Sequence, residues 1–120
     1  MTLLSKIIFA LLLVFAAQQQ PVHWLSGTDV DIGDLKKDQP KTTVFSFVNT
    51  SGQVLTIDNV RTTCGCTTPD WESIAIPPGD TSAIQITYDA YREGWFRKKI
   101  TVYFSGIRKP EKLFIQGYVE

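Results

Sequence analysis

The sequence predicts an all-β protein, an antiparallel β-sandwich of about seven strands. From Thr28 onward, apolar and polar residues alternate with a period of two, which is typical of strands that bury one face. Gly, Pro, Asn and Asp separate the alternating runs, and no segment has the periodicity of an amphipathic helix. The candidate strands lie near 28–32, 43–49, 54–63, 82–88, 97–104 and 112–119, with a short one around 67–76.

In the first half of the predicted sandwich, the alternation assigns a buried face to two strands. Phe45 and Phe47 lie on the same side of the strand at 43–49. The turn that follows, at 49–52, combines turn-forming side chains with a glycine that tolerates positive φ. Leu55 and Ile57 then alternate with polar neighbours, so we expect these four apolar side chains in the core.

The second half has the clearest alternation. Pro77-Pro78-Gly79-Asp80 cannot continue a sheet ladder and therefore marks a turn before the strand at 82–88. Three strands follow, and each places every second side chain on an apolar face. The residues expected in the core are Ile84, Ile86, Tyr88, Ile100, Val102, Phe104, Leu113, Ile115 and Val119.

The amino terminus has the pattern of a secretory signal peptide. Lys6 supplies a positive charge, and the apolar run at 7–17 is too short to span a bilayer, which needs about 20 apolar residues. We therefore expect an exported protein, periplasmic or extracellular, that begins near Gln18 and has no membrane span after cleavage. The predicted organisation is a signal peptide at 1–17, a flexible lead-in at 18–27 and one domain at 28–120.

The ionisable groups argue against two classes of function. Twelve Lys and Arg balance twelve Asp and Glu, so there is no global field to attract nucleic acid. His23 is the only histidine and falls in the expected lead-in, far along the chain from either cysteine. A Cys-His dyad or a serine triad would therefore need that lead-in to fold back, and we expect a protein that is not an enzyme and has no cofactor.

The segment Cys64-Gly65-Cys66 leaves three interpretations open. Cys64 continues an alternating strand pattern, so the first interpretation is that Cys64 is a small buried residue at a strand end, with a bend at Gly65. If oxidised, the pair closes a very small ring that could exchange electrons with other thiols. If reduced, the two thiolates could bind copper(I). Zinc fits poorly, because a closed zinc site needs four protein ligands.

Aromatic side chains form a candidate binding surface. Tyr103, Phe114 and Tyr118 alternate with the core positions of the last two strands and should therefore point outward. Trp95 lies beside Gly94, in a loop or at the start of a strand. Such a stripe can mark a contact for a protein or a glycan, and it can also simply stabilise the sheet. We expect a protein partner.

Several short motifs follow one another along the predicted domain: Phe45 to Gly52, Cys64-Gly65-Cys66-Thr67, Pro69-Asp70-Trp71, Ile76 to Asp80, Tyr88-Asp89, Gly94-Trp95-Phe96 and Ile115-Gln116-Gly117. In their order and spacing over residues 28–120, they resemble a bacterial family described as domain of unknown function 1573. The resemblance implies an immunoglobulin-like sandwich in the bacterial envelope, similar to modules of the major-sperm-protein and cilia-associated type, and it implies no catalytic residues. The expected function is a non-catalytic binding or assembly module with a protein partner in the cell envelope, and the alternative is a thiol redox or copper(I)-handling protein.

Overall fold

The structure is a computed structural model, and it describes residues 20–120. Eight strands form two sheets of four strands each, and the described part of the chain contains no helix. Two sheets with apolar inner faces bury those faces against each other, so the core lies between them. The strands are β1 Val22–Trp24, β2 Asp29–Leu35, β3 Lys41–Asn49, β4 Ile57–Thr62, β5 Thr67–Asp70, β6 Thr81–Tyr88, β7 Gly94–Phe104 and β8 Glu111–Val119.

From β1 to β5 the chain alternates between the two sheets; β6 then joins the sheet of β5, and β7 and β8 both belong to the second sheet. The first sheet has the order β1-β3-β6-β5, and the second has the order β2-β8-β7-β4. All pairings are antiparallel except β2 with β8, which is parallel. The prediction of a β-sandwich is confirmed, with eight strands instead of about seven and with one parallel pair that the sequence pattern did not indicate.

The additional strand, β1, lies in the segment that we expected to be a flexible lead-in. Val22 and Trp24 are buried, and β1 pairs with the end of β3. The Trp24 ring lies 5.0 Å from the ring of Phe47 and 6.3 Å from that of Phe45, centroid to centroid. The expectation of a lead-in through residue 27 is therefore wrong from Val22 onward, because burial of a large aromatic ring holds this segment in the sheet.

The alternating pattern identified the core correctly. Phe47 and Phe104 join the two sheets with ring centroids 5.3 Å apart, and Tyr88 stacks on Phe96 at 4.1 Å. Every side chain assigned to the core from the sequence is buried: Phe45, Phe47, Leu55, Ile57, Ile84, Ile86, Tyr88, Ile100, Val102, Phe104, Leu113, Ile115 and Val119.

A bulge shapes the edge of the second sheet. Asp31 pairs with Gln116 and Asp34 with Tyr118, so two residues of β2 lie opposite the single residue Gly117. The second of these two residues is Gly33, whose φ of +85° is open to glycine without strain. A Cβ on Gly117 would lie 2.5 Å from the Gly33 carbonyl oxygen, so the bulged strand and β8 approach closely only because residue 117 has no side chain.

The predicted signal peptide and its cleavage near Gln18 lie outside the described residues. Within residues 20–120, no helix is long and apolar enough to cross a membrane.

Candidate functional site

The candidate site lies on the outer face of the second sheet, the face turned away from the core. The register of β7 and β8 places Trp95 beside Tyr118 and Lys99 beside Phe114. Trp95 belongs to β7, because this strand begins at Gly94 and not at the residue 97 that we predicted. We call Trp95, Arg97, Phe114 and Tyr118 the outer aromatic face.

Trp95 is the most exposed large apolar side chain in the described part of the chain. It is 82% exposed, and its neighbour Tyr118 is 36% exposed. The two rings meet edge to face, with centroids 4.9 Å apart. This geometry is favourable for aromatic pairs, so the contact orders the indole ring while most of its surface remains in water.

Arg97 is the charged residue of the outer aromatic face. Its guanidinium lies over the Phe114 ring, 4.3 Å from the ring centroid. The same group donates from Nη1 to Oδ2 of Asp29 at 2.7 Å and to Oε1 of Gln116 at 3.0 Å. Both charged side chains of the ion pair are close to half exposed, so it contributes little stability, but three contacts hold the guanidinium in one place.

Tyr103 does not join this group. It pairs with Asn59 of β4 and is partly buried near the far end of β7. Tyr103 lies eight positions along β7 from Trp95, which corresponds to about 27 Å at the usual rise of a strand. Of the predicted stripe, Phe114 and Tyr118 therefore lie with Trp95 around Arg97, and Tyr103 lies apart.

A depression of about 410 Å³ opens beside Trp95. Arg97 and Gln116 form its polar side, and Asp31 lies toward the sheet edge. One carboxylate oxygen of Asp31 accepts the backbone N–H of Gly33 at 2.8 Å, which ties this side chain to the bulge. The face thus combines exposed apolar surface with fixed charged groups.

Sequence reasoning missed the polar members of this site. Neither Arg97 nor Asp29 was assigned to the binding surface from the sequence, and Gln116 was noted only as part of a family motif. The alternation of β7 did contain a signal, because it places Arg97 on the same side as Trp95. The partnership with Asp29 depends on the parallel pairing of β2 with β8, which no local pattern indicates.

The second predicted site, Cys64 and Cys66, lies where the chain crosses from β4 to β5. The two residues form a disulfide with their Cα atoms 5.1 Å apart. Cys66 is buried in the core and Cys64 is partly buried against it. Our first interpretation expected Cys64 to be buried, but the more buried residue of the pair is Cys66; the disulfide is the oxidised form that the second interpretation considered. Copper(I) capture would need the reduced form and stays a prediction.

The titratable groups of the described residues add no further candidate site. Burial raises the pKa of Tyr88, the charges of Asp89 and Tyr91 raise it further, and Arg92 lowers it. Within residues 20–120, no three His, Cys, Asp or Glu side chains form a group that could hold a metal ion.

These features define the class of the protein. Two four-stranded sheets packed face to face form an immunoglobulin-like sandwich. The chain belongs to the family described as "Protein of unknown function (DUF1573)", whose model matches residues 24–119. The family expected from the sequence is therefore confirmed, while the Cys-Gly-Cys-Thr motif stays a prediction. A search of curated proteins finds no match.

Solved structures with the same fold come from different proteins. A protein of unknown function from Porphyromonas gingivalis W83 has a TM-score of 0.68 and 14% identity, covering 85% of this chain and 50% of that one. The ASH/PapD-like domain 7 of human CEP192 has a TM-score of 0.68 and 7% identity, covering 83% and 85%. The Vibrio cholerae protease VesB has a TM-score of 0.64 and 11% identity, covering 82% and 32%.

At these identities the likeness shows the fold alone. The chain spans half the length of the Porphyromonas gingivalis protein and about a third of VesB.

Proposed function

We propose that this protein is a non-catalytic module of the bacterial cell envelope that binds a protein partner through the outer aromatic face. The observation that carries the proposal is the 82% exposed indole of Trp95, ordered by Tyr118. Membership in a family without an assigned activity and the immunoglobulin-like fold are consistent with a binding role. The predicted signal peptide supports an extracytoplasmic location.

The composition of the face favours protein recognition. Trp, Tyr and Arg are the residues that most often contribute large shares of binding energy at protein interfaces. Here Trp95 and Tyr118 are held by each other, and Arg97 is held by Phe114 and two polar partners. Because these side chains are already ordered, they would lose little conformational entropy when a partner binds.

The sheet edges fit a partner strand less well than the face does. Both edges of the first sheet are short, since β1 has three residues and β5 has four. In the second sheet, β2 contains a bulge and outward aspartates, and β4 has a register shift between Ile57 and Asn59. Short, bulged and charged edges are the features with which proteins avoid strand addition.

Site-specific photo-crosslinking in the native host tests the proposal. A benzoylphenylalanine at Lys99 places the crosslinker on the outer face of β7, two residues from Arg97, and one at Gln85 places it on the outer face of the first sheet. We expect a discrete protein adduct from position 99 only. Trp95→Ala should reduce that adduct by tenfold or more, on the order of a hot-spot residue.

The matched control is Val44→Ala, because Val44 is an exposed apolar side chain on the other sheet. It should leave the adduct from position 99 unchanged. Equal adducts from positions 99 and 85, or an adduct that survives Trp95→Ala, would contradict the proposal. An adduct that resists protease and is degraded by periodate would assign the face to a glycan instead.

A further inference from the structure

A second candidate site lies at the corner where the chain crosses between the sheets. β4 is an edge strand of the second sheet and β5 an edge strand of the first, so no further strand of residues 20–120 covers the loop between them. Gly65 is exposed, and a Cβ added there would have no atom within 4 Å. A polypeptide or a small thiol therefore has room to approach the Cys64–Cys66 disulfide.

The disulfide adds little to the stability of this corner. In the chain-entropy account, a crosslink stabilises by restricting the unfolded chain, and the effect shrinks with the length of the closed loop. This bond joins residues only two positions apart. Hydrogen bonds hold the backbone separately: Thr67 N–H donates to Cys64 O at 3.2 Å, and Asp89 N–H donates to Cys66 O at 2.9 Å.

The side chain of Thr62 reinforces the same backbone. Its hydroxyl lies 3.0 Å from the carbonyl oxygen of Thr67 and 3.2 Å from that of Cys64. Opening the S–S bond would leave each of these backbone contacts in place. The bond can therefore break and re-form in the folded protein. A disulfide that joins distant segments differs, because its opening frees those segments.

Both sulfur atoms have a hydrogen-bond donor. The Cys66 backbone N–H lies 3.2 Å from Cys64 Sγ, and the Thr67 hydroxyl lies 3.6 Å from Cys66 Sγ. A donor stabilises a thiolate relative to the thiol, and a more stable thiolate leaves a disulfide faster. The two sulfurs differ in access, since Cys66 is 4% exposed while Cys64 is only partly buried.

We propose that Cys64 and Cys66 form a thiol–disulfide exchange site that accepts two electrons from a dithiol. A thiolate of the dithiol attacks Cys64 Sγ, the S–S bond breaks, and Cys66 leaves as a thiolate that takes a proton from water. The second thiolate of the dithiol then attacks the dithiol sulfur of the mixed disulfide. This closes a disulfide within the dithiol and releases Cys64 as a thiolate. The products are the reduced pair and the oxidised dithiol.

Rates of reduction of the mature protein by dithiothreitol test this proposal, measured by acid quench, alkylation and intact mass. We expect reduction in the folded state, with a rate that rises in proportion to dithiothreitol concentration. Thr67→Val removes the hydroxyl donor and should slow reduction about threefold to tenfold. Trp95→Ala should leave the rate unchanged, which separates this site from the outer aromatic face.

Single-cysteine variants test the assignment of roles. With Cys66→Ser, the accessible Cys64 should form a mixed disulfide with oxidised glutathione roughly tenfold faster than Cys66 does with Cys64→Ser. A reduction rate that levels off at the rate of global unfolding would overturn the proposal. Two free thiols in the exported protein that oxidised glutathione fails to join would also overturn it. Both outcomes come from the unmodified chain, so they do not depend on the variants folding.

Discussion

Replacing Gly117 by alanine tests the packing of β2 against β8. The new Cβ would lie 2.5 Å from the Gly33 carbonyl oxygen and 2.8 Å from Cζ of Phe96. The Phe96 ring could turn only by losing its stacking on Tyr88, and the carbonyl belongs to a strand backbone. We therefore expect the bulged strand to shift, at the cost of overpacking, about 1–3 kcal/mol.

The melting temperature should reveal this cost. For a domain of this size, 1 kcal/mol corresponds to roughly 4–8 °C, so Gly117→Ala should lower the melting temperature by about 5–20 °C. Circular dichroism melts and urea titrations measure the effect. Gly65→Ala is the matched control, because its Cβ would meet no atom within 4 Å. If both variants melt within about 1 °C of the parent protein, the reasoning about the close approach is refuted.

Four further predictions concern the core, the surface, an ionisable group and the amino terminus. Phe47→Ala should cost about 3–5 kcal/mol in urea titrations, because it removes a fully buried ring, and a loss below about 1 kcal/mol would contradict the assigned core. Tyr118→Ala should cost less than about 1 kcal/mol, since its ring is outward and partly exposed; a large loss in a thermal melt would place the ring in the core. Burial raises the pKa of Tyr88, so its contribution to stability is present below the unfolded pKa and is lost as pH rises through the folded pKa. The phenolate absorbance that Tyr88→Phe removes should therefore appear at higher pH in the folded protein than in the urea-unfolded protein, and equal midpoints would contradict this. Intact-mass analysis of exported protein should find a chain beginning near Gln18, and retention of Met1 would exclude the predicted cleavage.

The sequence predicted the core well where burial imposes a local pattern. In β6, β7 and β8, every second side chain faces the other sheet, so the alternation alone identified residues such as Ile86, Val102 and Ile115. β1 escaped prediction because three residues are too few to establish a period. Its position depends on contacts of Trp24 with rings from a different strand, and such contacts are not visible in the local sequence.

The candidate sites were predictable to a smaller extent. Alternation placed Phe114 and Tyr118 on the outer side of β8, and a stripe of aromatic residues followed from it. The grouping of Trp95 with Arg97 and Asp29 required the register of three strands, one of them paired in parallel. For Cys64 and Cys66, the spacing allowed a bond, but the hydrogen bonds around the two sulfurs come from the fold of the corner.

The parallel pairing of β2 with β8 has a mechanical consequence. β2 begins at Asp29, at one end of the β2–β8 pair, and β8 ends at Val119, at the other end. Tension applied to the two ends of the domain therefore slides these strands past one another. The hydrogen bonds between β2 and β8 on either side of the bulge are then loaded together and not one after another. Antiparallel strands joined by a turn would instead open one bond at a time.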